Sequence, residues 1–231
     1  MAPVKILAVD DDPAIRTLIH RYLSQQNYQV ESAGDGKTAL ELFNKFSPDL
    51  VVLDVNLPDT TGFQLCKKMQ SYTNVFVLIL TSEADEDSIL HGFKEGADDY
   101  ITKPFGLVEL GARVGAILKR QRLVSNSQPE GIQLGSLTID PQSREVKVDG
   151  ELIALTALEF DILHCLAGKP GRAWKRSDLI QEVWDYEYNE YTGDERVVDV
   201  HIGQIRKKLD NNNDNSPKIK TVRGIGYKLD I

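Results

Sequence analysis

The sequence predicts an α/β domain built on a doubly wound parallel sheet, followed by a smaller α+β domain, and three observations carry this. Apolar runs such as Ile6–Val9 and Leu50–Leu53 are continuous rather than alternating, as in strands buried on both faces. Helical stripes of apolar residues separate these runs up to residue 123, the order expected of a layered sheet with helices on both sides. After a stretch of linker residues the pattern turns to short strands and compact helices. The chain therefore divides into 1–123, a linker at 124–130, and 131–231.

Taken in order, Ile6–Val9 is a strand capped by Asp10-Asp11-Asp12. Pro13 suits a first helical turn after an Asp12 cap, and Ile15, Leu18, Ile19, Tyr22 and Leu23 form the helix's apolar stripe. Leu50–Leu53 ends at Asp54 and leads into a turn-rich loop closing at Gly62. The strand Val75–Leu80 ends in Thr81-Ser82, and Gly96–Phe105 carries Tyr100 and Lys103-Pro104. Leu107–Leu123 reads as the last helix of this half.

Ligands of such sheets sit at the carboxyl ends of the strands. Two strand ends place several carboxylates in one crevice, where they repel unless a hard divalent cation joins them, and Mg²⁺ is the usual one. The site so read is a metal-assisted phosphoryl acceptor with Asp54 as carboxylate nucleophile. Acids merely solvated at strand ends are the bland alternative.

In the second half, Leu137–Ile139, Glu145–Val148 and Leu152–Ala154 are short strands, with Asp149-Gly150 as a hairpin turn. Thr156-Ala157-Leu158-Glu159 is a capping box that opens a helix. Ser177-Asp178 opens a second, ending near Trp184, and Tyr186–Gly193 is a polar, aromatic loop. Glu195–Leu209 makes a third helix and Ile219–Ile231 a closing hairpin. Three helices between two small sheets describe a winged helix.

At about 100° per residue, Val198, Ile202, Ile205 and Leu209 share one face of the third helix, which should be core. Arg196, Val200, Gly203, Gln204 and Lys207 fall opposite, with Arg206 flanking, a face suited to a major groove. A solvated charged helix is the competing reading. The hairpin decides between them: Arg196 to Lys228 contains eight Lys/Arg against three Asp, in a chain of net charge −8. Positive charge collects where a nucleic-acid reader needs it.

Composition excludes other classes. The chain's 231 residues, 41% of them hydrophobic, support packed cores; no stretch has the length of a membrane span and Met1–Lys5 is no signal peptide. Cys66 and Cys165 lie far apart and fit a reducing cytoplasm as core fillers, and four dispersed histidines make a zinc site improbable.

The set Asp10-Asp11, Asp54, Thr81 and Lys103-Pro104 resembles the receiver domain of two-component response regulators over residues 4 to 122. Such receivers are flavodoxin-like, with five strands. Leu155-Thr156, Glu159-Phe160, Val198–Ile202 and Thr221–Tyr227 resemble the winged-helix effector domain of the OmpR/PhoB family. The first resemblance implies that Asp10, Asp11, Asp54 and the Asn56 backbone carbonyl surround Mg²⁺. Asp54 would be the phosphoacceptor, Lys103 would pair with the phosphoryl group, Thr81 would hydrogen-bond it, and Tyr100 would turn inward. The second implies base-facing Val197, Asp199, Val200 and Gln204. Arg196, His201, Arg206, Thr221 and Tyr227, beside a basic Lys207, would meet phosphates, and Arg223 would enter the minor groove.

Several further expectations rest on the resemblance. The partners implied are a sensor histidine kinase, double-stranded DNA with tandem half-sites, RNA polymerase, and a second copy of the chain on phosphorylation. Asp98, Asp99, Glu109 and Arg113 match the receiver's pairing surface, although Ile89 stands where a basic partner for Glu109 is usual. Gly203 and Gln204 replace arginines of a well-known member, and Gln favours adenine. Asn56 with Glu83 is similar to the pair in the fast-decaying chemotaxis receiver, which implies a short-lived phosphoryl group.

The chain is thus expected to be a cytoplasmic transcription regulator with no enzymatic activity beyond chemistry on its own aspartate. Five alternatives compete with this reading. Control without phosphorylation is one. A haloacid dehalogenase phosphatase is disfavoured because Ala14 stands where Thr or Val would continue the Asp-x-Asp motif. A winged helix that binds protein is the third. Gly224-Ile225-Gly226 and Gly168-Lys169-Pro170, finally, lack dinucleotide-loop and P-loop spacing.

Overall fold

The computed structural model describes residues 3–73, 75–82, 86–126, 131–184, 195–209 and 217–231. They form two compact units, dividing at Leu118 and Lys119.

The first unit has five strands, β1 (Lys5–Val9), β2 (Gln29–Ala33), β3 (Leu50–Asp54), β4 (Phe76–Thr81) and β5 (Asp99–Thr102). They pair in parallel in the order β2-β1-β3-β4-β5. Every residue of β3 and β4 is buried, which is why their sequences show apolar runs rather than alternation. The intervening helices are α1 (Pro13–Gln25), α2 (Gly36–Phe46), α3 (Gly62–Gln70), α4 (Glu86–Lys94) and α5 (Leu107–Asn126). Asp12 caps α1 by accepting from the Ala14 N–H, with Pro13 in the first turn. Ile19 and Leu23 are core, but Leu18 of the expected stripe is 48% exposed. Helix α5 also runs three residues, Val124 to Asn126, into the expected linker.

Parallel register sets the site. Val9 pairs with Leu53 and Asp54 with Leu80, so Asp10 emerges beside Asp54. Thr81 pairs with Thr102, which brings Lys103 to the same edge.

The second unit opens with a four-stranded meander, β6 (Ile132–Leu134), β7 (Leu137–Asp140), β8 (Glu145–Val148) and β9 (Glu151–Ile153). Asp149 and Gly150, at φ 52° and 85°, make its last turn, which needs two left-handed residues in succession. Helices α6 (Ala157–Gly168), α7 (Arg176–Trp184) and α8 (Arg196–Leu209) follow. A second sheet, β10 (Trp174–Lys175), β11 (Lys218–Val222) and β12 (Gly226–Asp230), is ordered β10-β12-β11. The expected third helix has the expected core: Val198, Ile202, Ile205 and Leu209 are all buried. The expected loop at Tyr186–Gly193 lies outside the described residues.

Candidate functional site

At the sheet's carboxyl edge Asp10 is fully buried, Asp54 is 2% exposed, and Asp11 faces solvent. One carboxylate oxygen from each of the three lies within 4.8 Å of the others. The loop behind Asp54 is pinned: Asn56 bridges Thr61, and Asp59 accepts from the N–H groups of Gly36 and Lys37 at the start of α2. Gly62 is required there, since a Cβ at that position would run into the Asp54 carbonyl. On the other side Arg16 donates to the carbonyls of Asp10 (2.6 Å) and Asp11 (2.9 Å), fixing the first acidic loop.

Lys103 crosses this pocket. Its Nζ lies 2.7 Å from Asp10 Oδ2 and 3.0 Å from Asp54 Oδ2, and its backbone N–H donates to the Thr81 carbonyl. Burial raises the Asp54 pKa despite the lysine beside it. Burial would lower the Lys103 pKa, but the hydrogen bonds to Asp10 and Asp54 outweigh it and raise the pKa. Asp54 Oδ1 is buried without a hydrogen-bond partner. An unmatched buried carboxylate oxygen among three converging carboxylates is an all-oxygen donor set suited to Mg²⁺.

Thr81 is 3% exposed at the end of β4. Tyr100 is half-buried, edge-on to Phe93, and lines an apolar cavity together with Thr81 and Ile89. Ile89, standing where the resemblance implies a basic residue, forms part of the cavity wall. Glu109 takes its cation from its own helix instead, with Arg113 Nη2 at 3.1 Å.

Two corrections fall on the expected pairing surface. Asp98 is fully buried and its carboxylate accepts from the Val77 N–H, so it is no surface charge. Asp99 is 2% exposed and paired with Arg113, leaving Glu109 as the open acid of the group. Glu83 lies outside the described residues, and Asn56 is exposed.

On α8, Arg196 and Lys207 are exposed and Val200, Gln204 and Arg206 partly so, as the angular argument required. Two expected contacts are corrected. Val197 is 8% exposed and packs inward. His201 is 1% exposed, its ring near Trp184, and presents nothing to a phosphate. Asp199, its side chain 38% exposed, is held by Arg176 and Tyr227. Tyr227 itself is 5% exposed. Arg206 donates to the Ile219 carbonyl and the Thr221 hydroxyl, tying α8 to β11, and Arg223 stands exposed between β11 and β12. Lys220 and Lys228, opposite one another, share Asp230, and hold its carboxyl at about 2.

Sequence reasoning missed two residues. Arg176 left no signal beyond a basic residue at a helix start. Glu159 was read only as a cap, but it is 3% exposed and also accepts from Lys208 of α8 at 2.6 Å.

A five-stranded parallel domain with converging acids and a lysine, joined to a winged helix, defines a transcriptional response regulator. Residues 6–115 match the family model of the response regulator receiver domain, and 150–229 that of the C-terminal domain of transcriptional regulatory proteins. The alkaline phosphatase synthesis transcriptional regulatory protein PhoP of Bacillus subtilis is 41% identical, with 98% of this chain and 96% of that protein covered. The transcriptional regulatory protein TrcR of Mycobacterium tuberculosis is 39% identical, with 99% and 87% covered. Among solved structures, a RitR mutant is 29% identical at TM-score 0.80, covering 98% of each chain. The Thermotoga maritima OmpR/PhoB homologue DrrB is 34% identical at TM-score 0.52, covering 100% of each. The chain belongs to the OmpR/PhoB family of two-component response regulators, and it is a DNA-binding regulator of transcription. Among the described residues no helix is long and apolar enough to cross a membrane.

Proposed function

We propose that a sensor histidine kinase phosphorylates Asp54 and that this controls pairing of receivers and reading of tandem DNA half-sites, so as to regulate transcription. The observation that carries the reading is the Lys103 ammonium lying between Asp10 and Asp54, beside an unmatched Asp54 oxygen. Asp10, Asp11, Asp54 and the Asn56 carbonyl would hold Mg²⁺, which when bound neutralises charge on the acids and the phosphoryl group. Asp54 attacks phosphorus, the acyl phosphate forms, and the bond to the donor breaks. Lys103 pairs with the transferred group, because phosphoryl transfer needs positioning and charge more than covalent help. The Thr81 hydroxyl then hydrogen-bonds the new oxygens, and Tyr100 turns into the cavity beside it. The chain acts on no other substrate.

Exposed Asn56 favours hydrolysis by leaving water a path to the acyl phosphate; an unchanged decay rate on Asn56→Met would count against this. Glu109 remains the accessible acid of the pairing surface, held by the buried Arg113, and two effector domains then read half-sites about one helical turn apart. RNA polymerase is the further partner, and the cytoplasm the compartment. The test is gel mobility on duplexes selected with the phosphorylated chain. A small phosphodonor with Mg²⁺ should tighten binding of wild type and leave Asp54→Asn unchanged. Equal binding with and without the donor would favour control independent of phosphorylation.

A further inference from the structure

The three residues Arg176, Asp199 and Tyr227 come from three different elements and form one closed network. Arg176 Nε donates to Asp199 Oδ1 at 2.6 Å and its Nη2 to Oδ2 at 3.3 Å. The Tyr227 hydroxyl donates to the same Oδ1 at 2.6 Å, and Arg176 Nη2 reaches that hydroxyl at 3.2 Å. The guanidinium also lies over the Tyr227 ring, 5.0 Å from its centroid. A forked, charge-assisted pair fixes direction as well as distance. Asp199 sits in the first turn of α8, Tyr227 on β12 directly after the wing turn, and Arg176 opens α7. Strand β10, which precedes Arg176, pairs with β12 through Trp174–Tyr227 and Lys175–Gly226. Gly226 permits this approach, since a Cβ there would meet the Trp174 carbonyl.

We infer that Arg176 is a positioning residue for DNA recognition: through Asp199 and Tyr227 it locks the wing to the recognition helix. The lock sets the offset between the face that carries Gln204 and the turn that carries Arg223. Major-groove and minor-groove contacts then form together or not at all. Arg176 therefore acts without needing to touch DNA, and Asp199 serves as its anchor rather than as a base reader.

This rests on Arg223 being the wing's DNA contact, and a double-mutant cycle separates the two claims. Affinities of the full chain would be measured at one salt concentration on a duplex selected with wild type. The four proteins are wild type, Arg176→Ala, Arg223→Ala and the double variant. Arg223→Ala should cost about tenfold in wild type, the scale of one specific contact, and under threefold when Arg176 is absent. Equal costs in both backgrounds overturn the lock, whereas no cost in wild type overturns the assignment of Arg223 instead. Arg176→Lys restores charge without the fork and should leave the coupling lost; full recovery would mean that Arg176 acts through charge alone. If Arg176→Ala fails to fold, the same cycle is run with Asp199→Ala, which removes the oxygens that join the guanidinium to Tyr227, and the same outcomes decide.

Discussion

Lys103 Nζ lies 3.0 Å from Asp54 Oδ2, an ion pair almost sealed from solvent, with side-chain exposures of 16% and 3%. Asp10 shares the same ammonium. The lysine thus occupies charge that a divalent cation would otherwise balance.

Removing it makes the first prediction. Lys103→Ala leaves two buried carboxylates unpaired, and breaking such a pair costs about 3–5 kcal/mol. Calorimetry should show the receiver unfolding at a lower temperature without metal, with most of the loss recovered in Mg²⁺. Equal midpoints for variant and wild type without metal would refute the coupling.

The raised pKa of Asp54 gives a pH dependence. Because the folded value exceeds the unfolded one, protonation favours the folded state. That contribution is complete below the unfolded pKa and is lost as pH rises through the folded pKa. Asp54→Asn stays neutral, so it should raise the metal-free midpoint by a few degrees at neutral pH. The gain should shrink in acid, and a gain constant from acid to neutral pH would contradict the assignment.

Glu159→Ala removes both the capping-box acceptor and the partner of Lys208. Losing a buried charge-assisted bond costs roughly 2–3 kcal/mol. Both tryptophans, Trp174 and Trp184, belong to the effector unit, so their fluorescence during urea unfolding reports this loss alone. An unchanged midpoint would show that the pair contributes nothing.

Gln204 is partly exposed on the outer face of α8. Site selection should recover adenine at one position of each half-site, and Gln204→Arg should shift it to guanine. The discrimination expected is about 1–3 kcal/mol. Recovery of guanine by wild type would rule the contact out.

Much of this architecture was legible because burial on both faces writes itself into sequence. Leu50–Leu53 and Phe76–Leu80 are apolar without interruption, and Asp10, Asp54, Thr81 and Lys103 follow at strand ends that parallel register must align. What escaped was of two kinds. Strand β10, of two residues, is too short to show a period of two. Side-chain partnerships across elements leave no spacing at all, so Arg176 with Asp199 and Glu159 with Lys208 appear only once the helices pack. The same blindness placed His201, Val197 and Asp98 at surfaces, though packing buries all three. A helical angle gives the face of a residue but not the thickness of what lies over it.

The account stands or falls on Asp54, and intact mass measures it most directly. The chain would be incubated with Mg²⁺ and a small phosphodonor beside Asp54→Asn. One phosphate adduct on wild type and none on the variant is the predicted result. An adduct of equal yield on both, or none on wild type even after loading by a kinase, would contradict it.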